Sequence, residues 1–126
     1  MKTASLNKLV ALALLILLLS FIPASAAGPG VVTTQGKVKG LQLKKNTMVI
    51  HEAEYIWDSK TLFYDEKGAP LLDEKGSPAK AERLRNKDWV YIVGVSQKNK
   101  PTLIRKIYLL PRYIKKSDMH LYPFMQ

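Results

Sequence analysis

The chain contains no cysteine and only two histidines, and its acidic residues number 10 against 20 lysines and arginines. The first absence removes disulfide staples, thiolate metal sites, thiol redox chemistry and lipid attachment at a processed N-terminal cysteine. The histidines, His51 and His120, are far apart and show neither a His-x-His nor a His-x-x-x-His spacing, so no histidine pair is set up for zinc. The shortage of acid leaves a formal net charge of +10, which bears on partners and not on fold. Long apolar runs are also missing, with one exception.

That exception is "LVALALLILLLSFI", the 14 residues from Leu9 to Ile22. Lys2 and Lys8 precede it, Pro23 ends it, and Ala24-Ser25-Ala26 supplies small residues at −3 and −1. This is the pattern of a secretory signal over 1–26, with cleavage expected before Ala27. The run is shorter than the roughly 20 residues that cross a bilayer, so no membrane anchor is expected after cleavage. The destination is secreted or periplasmic. Residues 27–126 then form the mature chain, whose 18 basic and 10 acidic residues give +8. One small domain is expected, with a thin core and no disulfide to support it.

The mature chain is punctuated by turn residues. Residues 27–34, "AGPGVVTT", read as a flexible lead-in. Gly36 and Gly40 bracket Val38, and the parity of the apolar residues changes before Leu41 and Leu43, which suggests a bulge at Gly40. From Thr47 to Trp57 the apolar residues lie on either side of His51-Glu52-Ala53-Glu54. That centre has no glycine or asparagine, so one bent strand is favoured over a hairpin. Thr61 to Tyr64 is a short strand. Two turns, "DEKGAP" and "DEKGSP", follow eight residues apart and predict a projecting, solvated loop.

Ser77-Pro78 reads as the N-cap and first residue of a short helix reaching Arg85. "LRNKDWVYIVG" then leaves a polar corner and enters a strand with Trp89, Tyr91, Val93 and Val95 on one face and Val90 and Ile92 on the other. Strict alternation in the last strand, Thr102 to Leu110, puts Leu103, Ile107 and Leu109 together, with Ile104, Lys106 and Tyr108 opposite. Residues 111–126 form a basic-aromatic tail without a period.

The resulting order predicts an all-β domain over 35–110, a five-stranded OB-like barrel with one short helix before the fourth strand. The segments "GKVKGLQLKKNTMVI", "YIWDSKTLFYDEKG", "LRNKDWVYIVGV" and "LIRKIYLL" resemble small secreted or periplasmic bacterial β-barrel domains of the OB-like kind. The resemblance covers roughly 35–110 and implies a fold and a compartment. It brings no catalytic or ligand residues, and Asn86-Lys87-Asp88 stands where such domains have a Gly-Asp corner.

No catalytic residue is assigned. His51 with Glu52 and Glu54 reads as a wet strand face, the serines at 59, 77, 96 and 117 lack a nucleophile elbow, and the acidic turns lack EF-hand spacing. No metal or cofactor is expected, and the chain is read as a non-enzyme. Binding is the stronger class. Lys37, Lys39, Lys44 and Lys45 cluster at the first hairpin, and Arg105 and Lys106 lie in the last strand. With Trp57, Trp89 and Tyr91 as flat apolar platforms, they form the candidate ligand-binding set. Such a basic face suits an anionic polymer, an anionic lipid surface or an acidic protein, and export disfavours nucleic acid as the physiological partner. The alternative is a structural or accessory envelope protein acting through an apolar protein–protein contact around Trp89, Tyr91 and the tail.

Overall fold

The structure, a computed structural model, describes residues 30–126, and the expected signal segment lies outside the described residues. Seven strands form one mixed sheet: β1 (Val31–Lys37), β2 (Lys39–Gln42), β3 (Thr47–Ile50), β4 (Ala53–Ile56), β5 (Leu62–Tyr64), β6 (Trp89–Gln97) and β7 (Lys100–Leu110). Their order is β1-β6-β7-β4-β3-β2, with β5 also pairing β7. Strand β1 begins at Val31, inside the stretch expected to be a flexible lead-in.

This topology overturns the five-stranded OB-like barrel. The path of ladders has two ends, β1 and β2, and no ladder joins them, so the sheet is open. The two end strands are separated in sequence by Val38 alone. Its N–H donates to Asp88 O and its carbonyl accepts from Lys87 N, both at 2.8 Å. Those groups belong to the corner before β6, so Val38 is satisfied by a turn and not by a closing strand. The sheet is also mixed, because β4 and β5 both run parallel to β7.

The expected helix is absent as well. A single 3-10 turn covers Ala81–Arg83, with Lys80 at its N-cap and no side-chain cap. Pro78 is instead held in a bridge with Leu72. The preceding acidic turns decide this arrangement. Asp65 Oδ1 accepts from the N–H groups of Lys67 and Ala69, and Asp73 Oδ1 does the same for Lys75 and Ser77. Gly68 and Gly76 take φ 82, the left-handed backbone such turns require. The loop is therefore only partly a solvated projection. Its eight-residue repeat stacks Phe63, Leu71 and Ala79, with Leu71 N donating to Phe63 O and Ala79 N to Leu71 O. All three are buried.

The segment from Thr47 to Trp57 is a hairpin, not a bent strand, and it turns at His51 (φ 52) and Glu52 (φ 65). Two left-handed non-glycine residues cost roughly 1–2 kcal/mol each. Met48 and Ile50, both 0% exposed, and Tyr55 and Trp57, both 7%, enter the core only with this fold-back. Burying such side chains contributes about 1.5–3 kcal/mol apiece, so packing outweighs the strained turn.

Strand β6 follows the expected alternation, with Val90 and Ile92 at 0% exposure on the inner face. Strand β7 does not. Val93 pairs with Lys106 and Gly94 with Ile104, so Arg105 is an extra, bulged residue. The bulge reverses parity: Ile104 joins Ile107 in the core, while Leu103 moves to the outer face.

Candidate functional site

The outer face of the sheet is built from cross-strand rows. Lys37, Trp89 and Leu110 make one row, and Gln35, Tyr91, Tyr108 and Tyr64 the next. Thr33, Val93, Lys106 and Leu62 follow, and Val31, Val95 and Leu103 come last. Inner-face residues of the same strands fill the core, so this face is apolar in addition to the core, not in place of it.

The C-terminal residues cover the first two rows. Ile114 is 0% exposed and Met125 9%; both join Leu110 in a second apolar cluster, against which Trp89, Tyr91, Met119, Tyr122 and Phe124 pack. Phe124 stacks on Tyr108 at 4.0 Å between ring centroids, and Tyr64 stacks on Tyr108 at 4.8 Å. Tyr113 meets Trp89 edge-on at 5.6 Å. Burial pushes the Tyr108 hydroxyl's pKa above its ordinary 10.0, with the neighbouring Tyr64 and Tyr91 adding to the rise. The tail is a second layer on the sheet, and a short 3-10 stretch, Lys116–Leu121, carries part of it.

Among the described residues, the tail leaves the last two rows uncovered. Val31 is 56% exposed and Leu62 50%, while Val93, Val95 and Leu103 are half-buried. None of them belongs to the tail cluster. Lys106, exposed, lies within the first of these rows between Val93 and Leu62, and Arg105, also exposed, stands beside it at the bulge.

The basic residues of the candidate set are distributed over several places. Lys37 lies over the ring of Trp89, its Nζ 5.2 Å from the centroid. A cavity of about 620 Å³ is lined by Lys37, Lys39, Val49, His51, Glu52 and Trp89. A second of about 550 Å³ is lined by Lys37, Val38, Lys39, Gly40, Asn86 and Lys87. Lys44 and Lys45 sit apart on the 3-10 turn Leu43–Lys45. Trp57 is buried and floors a smaller cavity of about 360 Å³ with Leu43, Thr61 and Phe63. Tyr91 lies beneath the tail, and Arg105 and Lys106 lie at the bulge.

Sequence reasoning missed Lys87 and gave His51 no role. Lys87 occupies the place of the glycine in the related corner and adopts glycine's backbone, with φ 80. That odd residue at a corner was the available signal. His51 Nε2 lies 2.7 Å from Gln35 O and ties the hairpin turn to the edge of β1.

No family model and no curated protein matches the sequence. Among solved structures, the fimbrial biogenesis protein PilY2 from Pseudomonas aeruginosa aligns over 74% of this chain and 94% of its own, at 17% identity and a TM-score of 0.49. Silver(I)-bound CusF aligns over 65% and 100%, at 18% identity and 0.45. A copper(II) structure of a tryptophan-to-alanine CusF variant from Escherichia coli covers 65% and 94%, at 17% and 0.45. Likenesses this distant assign no ligand and no role. Among the described residues, no three of His, Asp and Glu are grouped to hold a metal ion, and no helix there is long and apolar enough to cross a membrane.

Proposed function

We propose that this chain is an exported, non-catalytic accessory protein of the cell envelope that works through an apolar protein–protein contact. The observation that supports it is the half of the outer sheet face that the tail leaves uncovered. Val31, Val95 and Leu103 are neighbours in one cross-strand row and Val93 lies in the next, where Lys106 stands between it and Leu62; both rows flank those that the protein covers with its own tail. Val31 and Leu62 are exposed and Val93, Val95 and Leu103 half-buried, and apolar side chains left at a surface beside polar ones suit an interaction site. Lys106, within the second of these rows, and Arg105, at the bulge beside it, add positive charge to the strip, in keeping with the mixed apolar and polar make-up of protein interfaces.

The test is a pair of charge insertions, Leu62→Glu and Val95→Glu, in the full-length protein expressed in its own cells. Both sites face away from the core, so the unfolding midpoint should change little. Co-isolation of the partner under mild extraction should fall at least tenfold. Unchanged co-isolation with both variants would refute the apolar contact. A separate binding role for the basic residues is favoured by one observation, the placement of Lys37 over Trp89.

A further inference from the structure

The geometry points to a binding site for a linear polyanionic glycan along Lys37 and Lys39, where the two cavities meet. Lys37 and Lys39 line both, Lys87 lies in one, and Trp89 and His51 lie in the other. Glu52 is the only acidic side chain lining either. The single ion pair among the described residues is Arg112 with Asp118, so none of these lysines is matched by a carboxylate within 4.0 Å. Lys37, Lys39 and Lys87 are exposed and line one cavity together, so an incoming anion meets three positive charges there.

The chemistry of the lining selects the ligand. No arginine lines either cavity. Planar two-point recognition is the province of guanidinium groups, whereas lysines act as mobile point charges. They suit sulfate, phosphate or carboxylate groups strung along a flexible chain. A nucleic acid would need free aromatic faces for its bases. Trp89 is the one aromatic here, and Lys37 and Tyr113 already occupy its surroundings. The two cavities share Lys37 and Lys39, so successive anionic groups of one chain would meet the same pair of lysines.

Trp89 also acts as a reporter. An anion that draws the Lys37 ammonium off the indole changes the charge beside the ring, and its emission changes with it. The other tryptophan, Trp57, is buried at 7% exposure and lines neither cavity. The two cavities share no residue with the uncovered apolar strip, so this inference stands independently of the protein–protein contact.

The experiment titrates the full-length protein with a heparin-derived oligosaccharide, following tryptophan emission across a salt series. Two triple variants carry the same net charge. One is Lys37→Gln, Lys39→Gln and Lys87→Asn, the asparagine chosen because it tolerates left-handed backbone. The other is Lys60→Gln, Lys67→Gln and Lys75→Gln. All six lysines are exposed, and thermal midpoints verify that both variants fold. The cavity variant should lose affinity at least tenfold, with a shallower dependence on log salt, since fewer ions are displaced. The control should lose less than threefold. A single-stranded oligonucleotide of equal charge should bind the native protein more weakly than the glycan. Equal losses in the two variants, an emission response that survives in Trp89→Phe, or tighter binding of the oligonucleotide would each overturn the assignment.

Discussion

The side chain of Gln35 grips the backbone of Ile114 at both its polar groups. Gln35 Nε2 donates to Ile114 O at 3.1 Å, and Ile114 N–H donates to Gln35 Oε1. This clamp joins β1 to the tail across 79 residues of sequence, at the end of the row that Tyr91 and Tyr108 continue. Replacing Gln35 by leucine strands a part-buried donor and acceptor, which costs about 1–3 kcal/mol. The urea midpoint should drop accordingly. Amide exchange should accelerate first in residues 111–126, and uniform acceleration over the whole sheet would show that the tail is not a separately held layer.

Burial of Tyr108 makes the fold sensitive to alkali. Its folded-state pKa is raised above 10.0, first by burial and then by Tyr64 and Tyr91. The folded state therefore holds this proton where the unfolded chain has released it. The stabilisation is complete below pH 10 and is lost as pH rises through the folded value. Tyr108→Phe removes the titration, so the stability of this variant should fall less steeply than the native protein's as the pH is raised through and above 10. Parallel curves would contradict the assignment, since lysine titration is common to both proteins.

Gly94 makes the β7 bulge possible. A Cβ there would lie 2.7 Å from Leu103 O and 3.0 Å from Thr102 Cγ2. Gly94→Ala must push the two strands apart at the bulge, and overpacking of this kind costs about 1–3 kcal/mol. The thermal midpoint reports that loss. The largest chemical-shift changes should centre on Leu103 to Lys106.

Gly94 also shows where sequence reading ran out. The alternation in β6 was legible because Trp89, Val90, Tyr91 and Ile92 are paired without interruption. In β7 the same rule puts Leu103 on one face with Ile107 and Ile104 on the other, because an inserted Arg105 leaves no mark in a period of two. The hairpin at His51-Glu52 was hidden for a related reason: neither residue prefers left-handed backbone, and only the burial of Met48, Ile50, Tyr55 and Trp57 forces it. The turns at Asp65 and Asp73 were readable locally, but their role in stacking Leu71 and Ala79 under Phe63 is a long-range consequence. Of the candidate site, Lys37, Lys39 and Trp89 were legible as charge and aromatic content. Their convergence with Lys87 depends on the path of Val38 between two strands that do not pair.

The strained turn offers a gain as well as a loss. Glu52 holds φ 65, a conformation that glycine adopts without steric penalty. Glu52→Gly should raise stability by about 0.5–1 kcal/mol in chemical unfolding, after the entropy cost of glycine in the unfolded chain is subtracted. It also removes the only acid lining the two lysine cavities, so glycan affinity should rise in the same variant. Destabilisation would mean that the Glu52 side chain makes a contribution larger than the backbone relief.

On the function proposed above, the uncovered rows of the outer face meet another protein. A photo-crosslinking amino acid placed at Val95, and in a second strain at Lys75 on the exposed acidic turn, tests it inside intact cells. One discrete adduct is expected from position 95, abolished by Leu62→Glu in the same chain, and none from position 75. Equal labelling from the two positions, or no adduct from position 95, would contradict it.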